Sequence, residues 1–163
     1  MDQYRVLIVD DCALVRDALS EVLRADRRIH VAAIAESAEQ AAGLLARESI
    51  DVVILDIEMP KTSGLEFLPT LLRLSIPAIL LTNRTSEIGA RRPAPLPGAA
   101  GCFDKARAVR DAPLLIGLVK AAARRRLQTG GKGAGSVAQS RAKPLAAART
   151  LGVREGSRQA VPA

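Results

Sequence analysis

The sequence alternates between two patterns of apolar residues. Short continuous apolar runs, rich in β-branched side chains, are typical of strands buried on both faces. Segments with apolar residues at three- and four-residue steps are typical of amphipathic helices. The predicted strands are residues 5–9, 31–35, 51–56, 77–82 and 101–103. The predicted helices are residues 12–25, 38–47, 65–74 and 111–126.

The alternation of these elements predicts the fold class. Strands separated by helices form parallel sheets with right-handed crossovers, and the helices then cover both faces. We therefore expect an α/β, doubly wound domain with a five-stranded parallel sheet. The strand at residues 51–56 is expected to be central, because its apolar run is continuous.

Local signals refine the predicted helices. Ser37 is the candidate N-cap residue of the second helix, with Gln40 at the capping-box position. Pro69 is expected to weaken or kink the third helix. Residues 86–92 could begin a further helix, but it must be short, because the prolines that follow lack a backbone donor. These prolines are Pro93, Pro95 and Pro97.

Length and composition set the domain organisation. A chain of 163 residues with an apolar fraction of 48% can bury one ordinary core. We place the domain at residues 1–126 and expect residues 127–163 to form a largely disordered basic tail, because few large apolar residues occur there. The tail has six basic residues and one acidic residue, so it contributes +5 of the net charge of +7.

Several functional classes are disfavoured. The basic tail lacks aromatic residues and a periodic basic face, so specific nucleic acid binding is not expected, while non-specific contact with nucleic acid or anionic lipid stays open. No apolar run is long enough for a membrane span and no signal peptide is visible, so we expect a soluble, cytoplasmic protein. Cys12 and Cys102 are expected to be free thiols, and His30, the only histidine, is expected to have no chemical role.

Polar residues that could bind a ligand or take part in a reaction follow the predicted strands. Ligands of a parallel sheet bind at the carboxyl ends of its strands, so these residues should converge. Three carboxylates in one place repel each other, and a hard divalent cation with oxygen ligands relieves that repulsion, which favours Mg²⁺. The converging residues are Asp10, Asp11, Asp56, Thr82 and Lys105.

Asp56 is the candidate nucleophile of this constellation. A carboxylate is ionised at neutral pH and can attack phosphorus without a general base. The Lys105 ammonium and Mg²⁺ could neutralise phosphoryl oxygens, and the Thr82 hydroxyl could donate a hydrogen bond. Two simpler interpretations stay open: Asp11 could cap the following helix, and Thr82 could be an ordinary strand-end residue.

The segments that contain these residues resemble the CheY-like receiver domain of bacterial two-component response regulators. The resemblance extends from residue 4 to about residue 126. It implies the flavodoxin-like strand order 2-1-3-4-5. The matching segments are Val-Leu-Ile-Val-Asp10-Asp11, Leu55-Asp56-Ile-Glu-Met-Pro60-Lys-Thr-Ser-Gly64, Leu81-Thr82 and Phe103-Asp-Lys105.

The resemblance also implies roles for individual residues. Mg²⁺ would be bound by Asp10, Asp11, Asp56 and the backbone carbonyl of Glu58. Asp56 would accept a phosphoryl group from a histidine kinase or a phosphotransfer protein. Lys105 and Thr82 would sense the acyl phosphate. The chain would then act as a single-domain response regulator whose phosphorylation changes its affinity for a downstream partner protein, with at most weak autodephosphorylation.

The sequence departs from the family pattern near its fifth strand. The family has an aromatic residue three positions before the lysine, whereas this chain has Cys102. Phe103 is adjacent but should point to the opposite face, because side chains alternate along a strand. Ala106 replaces the usual proline after the lysine. These departures concern the output surface and leave the predicted phosphorylation site intact.

The sequence fits two alternative functions less well. A small Mg²⁺-dependent phosphohydrolase would need a second aspartate two residues after the nucleophile, where this chain has Glu58. A receiver remnant of a DNA-binding transcription regulator would use a separate domain or the tail, but no helix-turn-helix pattern follows residue 126.

Overall fold

The computed structural model describes residues 3–83 and 97–130. Its strands are β1 (Tyr4–Val9), β2 (Ile29–Ala35), β3 (Val52–Asp56), β4 (Ala78–Thr82) and β5 (Ala99–Asp104). The helices of the described part are α1 (Ala13–Arg24), α2 (Ala38–Leu45), α3 (Gly64–Arg73) and α4 (Ala112–Gly130), with a 3-10 turn at Lys105–Arg107.

The five strands form one parallel sheet with the order β2-β1-β3-β4-β5. This arrangement confirms the predicted fold class, the strand order and the central place of β3. After β2 the chain crosses back over β1, so strand order reverses between β1 and β3. Such a reversal point opens a crevice at the carboxyl ends of the two strands.

The core lies in two layers, one on each face of the sheet. Alternate residues of β3 point in opposite directions, and all five are buried. Val53 and Leu55 belong to the layer that packs against α2 and α3. Val52 and Ile54 belong to the layer that packs against α1 and α4. The doubly covered sheet explains why the apolar run of this strand is continuous.

Helix starts follow the sequence signals closely. The Ser37 side chain accepts the Gln40 N–H at 3.1 Å, which confirms the predicted N-cap of α2. The Gln40 side chain accepts the N–H of Glu36, one residue before the N-cap. Helix α3 begins with a capping box, in which the Glu66 carboxylate accepts the Ser63 N–H at 3.2 Å. It continues through Pro69 to Arg73.

Some element boundaries differ from the predictions. Strand β5 includes Ala99 and Ala100, small residues with weak strand propensity, because β4 pairs with this segment. Helix α4 continues to Gly130, four residues past the expected end at residue 126. Leu127 and Gln128 are good helix formers, and no glycine or proline lies between residues 126 and 130. The predicted helix at residues 86–92 and the tail from residue 131 onward lie outside the described residues.

Candidate functional site

Asp10 and Asp56 lie side by side at the carboxyl edge of the sheet. Asp10 follows the last residue of β1, and Asp56 ends the neighbouring strand β3. The register pairs Val9 with Leu55, so the next residue of each strand reaches the same level. Both aspartate side chains are fully buried, with 0% exposure. Water therefore screens the repulsion between them poorly.

Lys105 supplies the positive charge between these two carboxylates. It follows β5, and its Nζ lies 2.7 Å from Asp56 Oδ2 and 2.8 Å from Asp10 Oδ2. The lysine side chain is only 10% exposed. Two buried anions thus share one largely buried cation, which leaves the cluster with an excess of negative charge.

The protonation of the cluster reflects this arrangement. Burial raises the pKa of Asp10 above its usual value, and the Asp56 charge adds to the rise, although Lys105 and the Cys12 amide oppose it. Burial by itself lowers the pKa of Lys105, but its close contacts with the Asp10 and Asp56 carboxylates together raise it. The lysine is therefore held in its charged form.

Backbone amides fix the orientation of both buried carboxylates. Asp10 Oδ1 accepts the Cys12 N–H at 2.9 Å, and Asp56 Oδ1 accepts the Glu58 N–H at 3.0 Å. The Oδ2 atoms then both face Lys105. The N-cap residue of α1 is Cys12 and not Asp11, so helix capping does not explain the second aspartate of the pair.

The same carboxylates form a cluster suited to a cation. Oxygen atoms of Asp10, Asp11 and Asp56 lie within 4.8 Å of one another. Asp11 is exposed, which gives solvent access from one side. Among the described residues, the buried Asp10 Oδ2 has the Lys105 charge beside it but no well-aligned hydrogen-bond donor. Oxygen ligands, excess negative charge and an open side fit Mg²⁺ with several retained waters.

Thr82 and Glu58 flank the cluster. Thr82 is the last residue of β4, beside β3, and its side chain is 2% exposed. Glu58 lies two residues beyond Asp56, and its carboxylate accepts a hydrogen bond from the Asn83 side chain at 3.0 Å. This bond joins the loop after β3 to the end of β4, on the exposed side of the site. Sequence reasoning did not identify Asn83.

The departures from the family pattern have a clear place in the fold. Cys102 is half-buried against the layer that contains α2 and α3, whereas Phe103 packs against the layer that contains α1 and α4. Phe103 thus points away from the face of Cys102, as predicted from strand alternation. The Ala106 N–H donates to the Asp104 carboxylate at 2.9 Å, which starts the turn after Lys105.

Two residues support the site through contacts that were not predicted from the sequence. An added Cβ at Gly64 would lie 2.1 Å from the Asp56 carbonyl oxygen. Arg16 donates from Nη1 to the carbonyl oxygens of Asp10 and Asp11, at 2.7 Å and 3.0 Å. Arg16 is four residues after the N-cap Cys12, so its place in the first turn of α1 could have been noticed from the sequence. Gly64 belongs to a segment that resembles the receiver family, but residue type alone did not predict its close packing against Asp56.

Comparison with known proteins identifies the class. The response regulator receiver domain family matches residues 6–112, and the chain belongs to that family. Such domains are signalling domains of two-component systems that are phosphorylated by histidine kinases and bind Mg²⁺ at an acidic pocket. The fold and the acidic cluster of this chain agree with that assignment.

Individual relatives extend this picture. The receiver domain of Thermotoga maritima CheB has a TM-score of 0.64 and 26% identity, and the match covers 75% of this chain and 97% of that one. A CheY-like receiver domain protein from Methanospirillum hungatei has the same fold, with a TM-score of 0.61, 19% identity and coverage of 79% and 100%.

The chain also resembles part of longer proteins. It is 36% identical to a protein-glutamate methylesterase/protein-glutamine glutaminase of Rhodospirillum centenum, over 68% of this chain and 29% of the relative. A similarly named Shewanella protein is 31% identical over 90% of this chain and 44% of its own length. The chain therefore spans less than half of either relative. Among helices in residues 3–83 and 97–130, none is long and apolar enough to cross a membrane.

Proposed function

We propose that this chain accepts a phosphoryl group on Asp56 and thereby switches its affinity for a partner protein. The donor is a phosphohistidine of a histidine kinase or a phosphotransfer protein. Mg²⁺ is held by Asp10, Asp11, Asp56 and the backbone carbonyl of Glu58. Lys105 and Thr82 contact the phosphoryl group once it is attached.

The observation that carries this proposal is the environment of the Asp56 carboxylate. It ends the central strand, is fully buried and lies 2.7 Å from Lys105 Nζ. It also shares a cluster with two other carboxylates. A carboxylate that served only as a structural ion-pair partner would not need two further anions beside it, because they oppose its ionisation.

The chemistry is a direct displacement at phosphorus. An Asp56 carboxylate oxygen forms the new P–O bond, the P–N bond of the phosphohistidine breaks, and the imidazole leaves with its electron pair and takes a proton. Mg²⁺, when bound, neutralises charge on the transferred oxygens. Lys105 neutralises another oxygen, and the Thr82 hydroxyl donates a hydrogen bond. The product is an acyl phosphate.

The output follows from the new charge at the site. A phosphoryl group adds negative charge where Lys105 already compensates two carboxylates, so Lys105 and Thr82 take new partners. Both residues lie at the ends of β4 and β5, so the change reaches the surface around those strands. We assign the switch to residues 1–126 and treat residues 127–163 as a separate basic segment, although α4 continues to Gly130.

A hydrolytic function is less well supported. The methylesterase activity in the names of the relatives is not assigned to this chain, because a serine–histidine pair would have to use His30, the only histidine, which is exposed on β2. For a phosphohydrolase, the acid/base position is Glu58, whose carboxylate is bonded to Asn83. Slow self-dephosphorylation is the most we assign to the site.

The test is phosphorylation by a small donor. The full chain is incubated with acetyl phosphate and Mg²⁺ and analysed by intact mass spectrometry and hydroxylamine treatment. We expect one hydroxylamine-sensitive phosphoryl group on the wild type and none on Asp56→Asn. The matched control is Asp17→Asn, which removes an exposed carboxylate on α1 and should be phosphorylated like the wild type.

Two results would contradict the proposal. One is an adduct that persists in Asp56→Asn, which would place the phosphoryl group elsewhere. The other is a wild type that gains no adduct at saturating Mg²⁺ while remaining folded. Sustained release of phosphate over many turnovers, instead of a single labile adduct, would favour the hydrolase.

A further inference from the structure

Arg16 contacts the backbone of Asp10 and Asp11, the two residues before the N-cap residue of α1. Its side chain leaves the first turn of α1 and turns back toward the end of β1. Nη1 donates to the carbonyl oxygen of Asp10 at 2.7 Å and to that of Asp11 at 3.0 Å. One guanidinium nitrogen therefore ties together the two consecutive peptide groups that follow the acidic residues.

These peptide groups lie just beyond the last hydrogen bond between β1 and β2. The Asp10 N–H still donates to the Ala35 carbonyl of β2 at 3.1 Å, but the chain then turns out of the sheet. In the described structure, the N-cap residue Cys12 makes no side-chain hydrogen bond to α1. The turn is held instead by Asp10 Oδ1, which accepts the Cys12 N–H, and by Arg16.

We propose that Arg16 is a positioning residue for the cation site. It acts through Asp10 and Asp11: by fixing the peptide groups that follow them, it sets where their carboxylates point. This inference rests on the proposed function, since it concerns the affinity of the same carboxylate cluster for Mg²⁺. Arg16 donates to these residues and offers no ligand to the metal.

Loss of the Arg16 charge and loss of its hydrogen bonds should change the Mg²⁺ affinity in opposite directions, so the inference can be tested. The guanidinium is a cation near a cation site, so removal of its charge alone should strengthen Mg²⁺ binding. Removal of its hydrogen bonds should weaken binding, because the carboxylates lose their preset orientation. Groups that orient metal ligands typically change metal affinity by roughly 10–100-fold. The sign of the change therefore separates the two effects.

The experiment is a calorimetric Mg²⁺ titration of the full chain without any phosphodonor. We expect Arg16→Gln to bind Mg²⁺ about tenfold more weakly than the wild type. Arg16→Lys keeps the charge and can donate to one carbonyl, so its Mg²⁺ affinity should lie between those of the wild type and Arg16→Gln. The matched control is Arg24→Gln, which removes the same charge from an exposed position in the last turn of α1 and should stay within about twofold.

A separate variant controls for a general loss of stability. Asp26→Asn disrupts an ion pair remote from the site and should lower stability without changing Mg²⁺ affinity. If Arg16→Gln fails to fold, the Arg16→Lys affinity decides: a weakened affinity supports the inference, and an unchanged one overturns it.

The outcomes also separate this inference from the proposed function. If the wild type binds Mg²⁺ and Arg16→Gln binds it equally well or more tightly, Arg16 is not a positioning residue and the proposed function is untouched. If the wild type binds no Mg²⁺, both are wrong. Weaker binding in Arg16→Gln, with partial recovery in Arg16→Lys, supports the positioning role.

Discussion

Gly64 lies directly against the carbonyl oxygen of Asp56: an added Cβ would be 2.1 Å from that oxygen and 3.0 Å from Ile57 Cα. The first residue of α3 thus contacts the backbone of the candidate phosphoacceptor. The Gly64 N–H also donates to the Ile57 carbonyl at 3.1 Å, which closes the loop between them. The position of Asp56 therefore depends on the absence of a side chain at residue 64.

We expect Gly64→Ala to lower the free energy of unfolding by about 2–3 kcal/mol, because the new methyl group forces the backbone apart. Mg²⁺ affinity should also fall, since the Asp56 backbone must move. The matched control is Gly43→Ala in α2, where nothing lies within 4 Å of an added Cβ. The free energy of unfolding of that variant should rise by about 0.5–1 kcal/mol. Urea denaturation measures both changes, and an unchanged Gly64→Ala would contradict the close packing.

Loss of the Lys105 ammonium should cost more stability when no metal compensates for it. In EDTA, Lys105→Met should lose about 3 kcal/mol of unfolding free energy, because Asp10 and Asp56 stay buried without their shared cation. Millimolar Mg²⁺ should restore part of this stability by binding the same carboxylates. The control is Lys120→Met, which removes the partly exposed partner of Asp26 and should not respond to Mg²⁺. Equal responses of the two variants would contradict the prediction.

The ion pair of Asp26 and Lys120 predicts a pH dependence of stability away from the site. Their side chains meet at 2.6 Å, and the hydrogen bond from Lys120, with one from the Arg28 amide, lowers the pKa of Asp26. A carboxyl group whose pKa is lower in the folded state stabilises the fold above its unfolded pKa of about 3.9. That contribution disappears as the pH falls through the folded-state pKa.

Asp26→Asn should therefore lower the free energy of unfolding by about 0.5–1 kcal/mol at neutral pH. The amount is modest because the ion pair is partly exposed. The difference from the wild type should vanish in strong acid. Glu21→Gln, which changes an exposed carboxylate on α1, serves as the control and should change stability little at any pH. A deficit of Asp26→Asn that persists below the folded-state pKa would show that the loss is not electrostatic.

The two cysteines should react at different rates. Burial raises the pKa of the Cys102 thiol, so less reactive thiolate is present, whereas Cys12 is exposed. At about pH 8, a disulfide reagent should modify Cys12 roughly tenfold faster than Cys102. Single variants Cys12→Ser and Cys102→Ser assign the two phases. A fast phase that survives in Cys12→Ser would be inconsistent with the burial of Cys102.

Much of the fold was predictable because it depends on local patterns. The continuous run of β3 predicted a strand covered on both faces, and Ser37 predicted the start of α2. Boundaries without a local signal were not predictable. Ala99 and Ala100 enter β5 only because β4 offers backbone partners. Helix α4 continues past residue 126 because no glycine or proline lies between residues 126 and 130.

The candidate site divides in the same way. The sequence by itself determined which residues meet, because the carboxyl ends of parallel strands share one edge: Asp10, Asp56 and Lys105 are in contact. Only the tertiary structure decided how they are held. The Arg16 bonds to two carbonyls and the contact of Gly64 with Asp56 depend on where the backbone turns after each strand. Such turns are set by packing between elements, and residue type alone does not specify them.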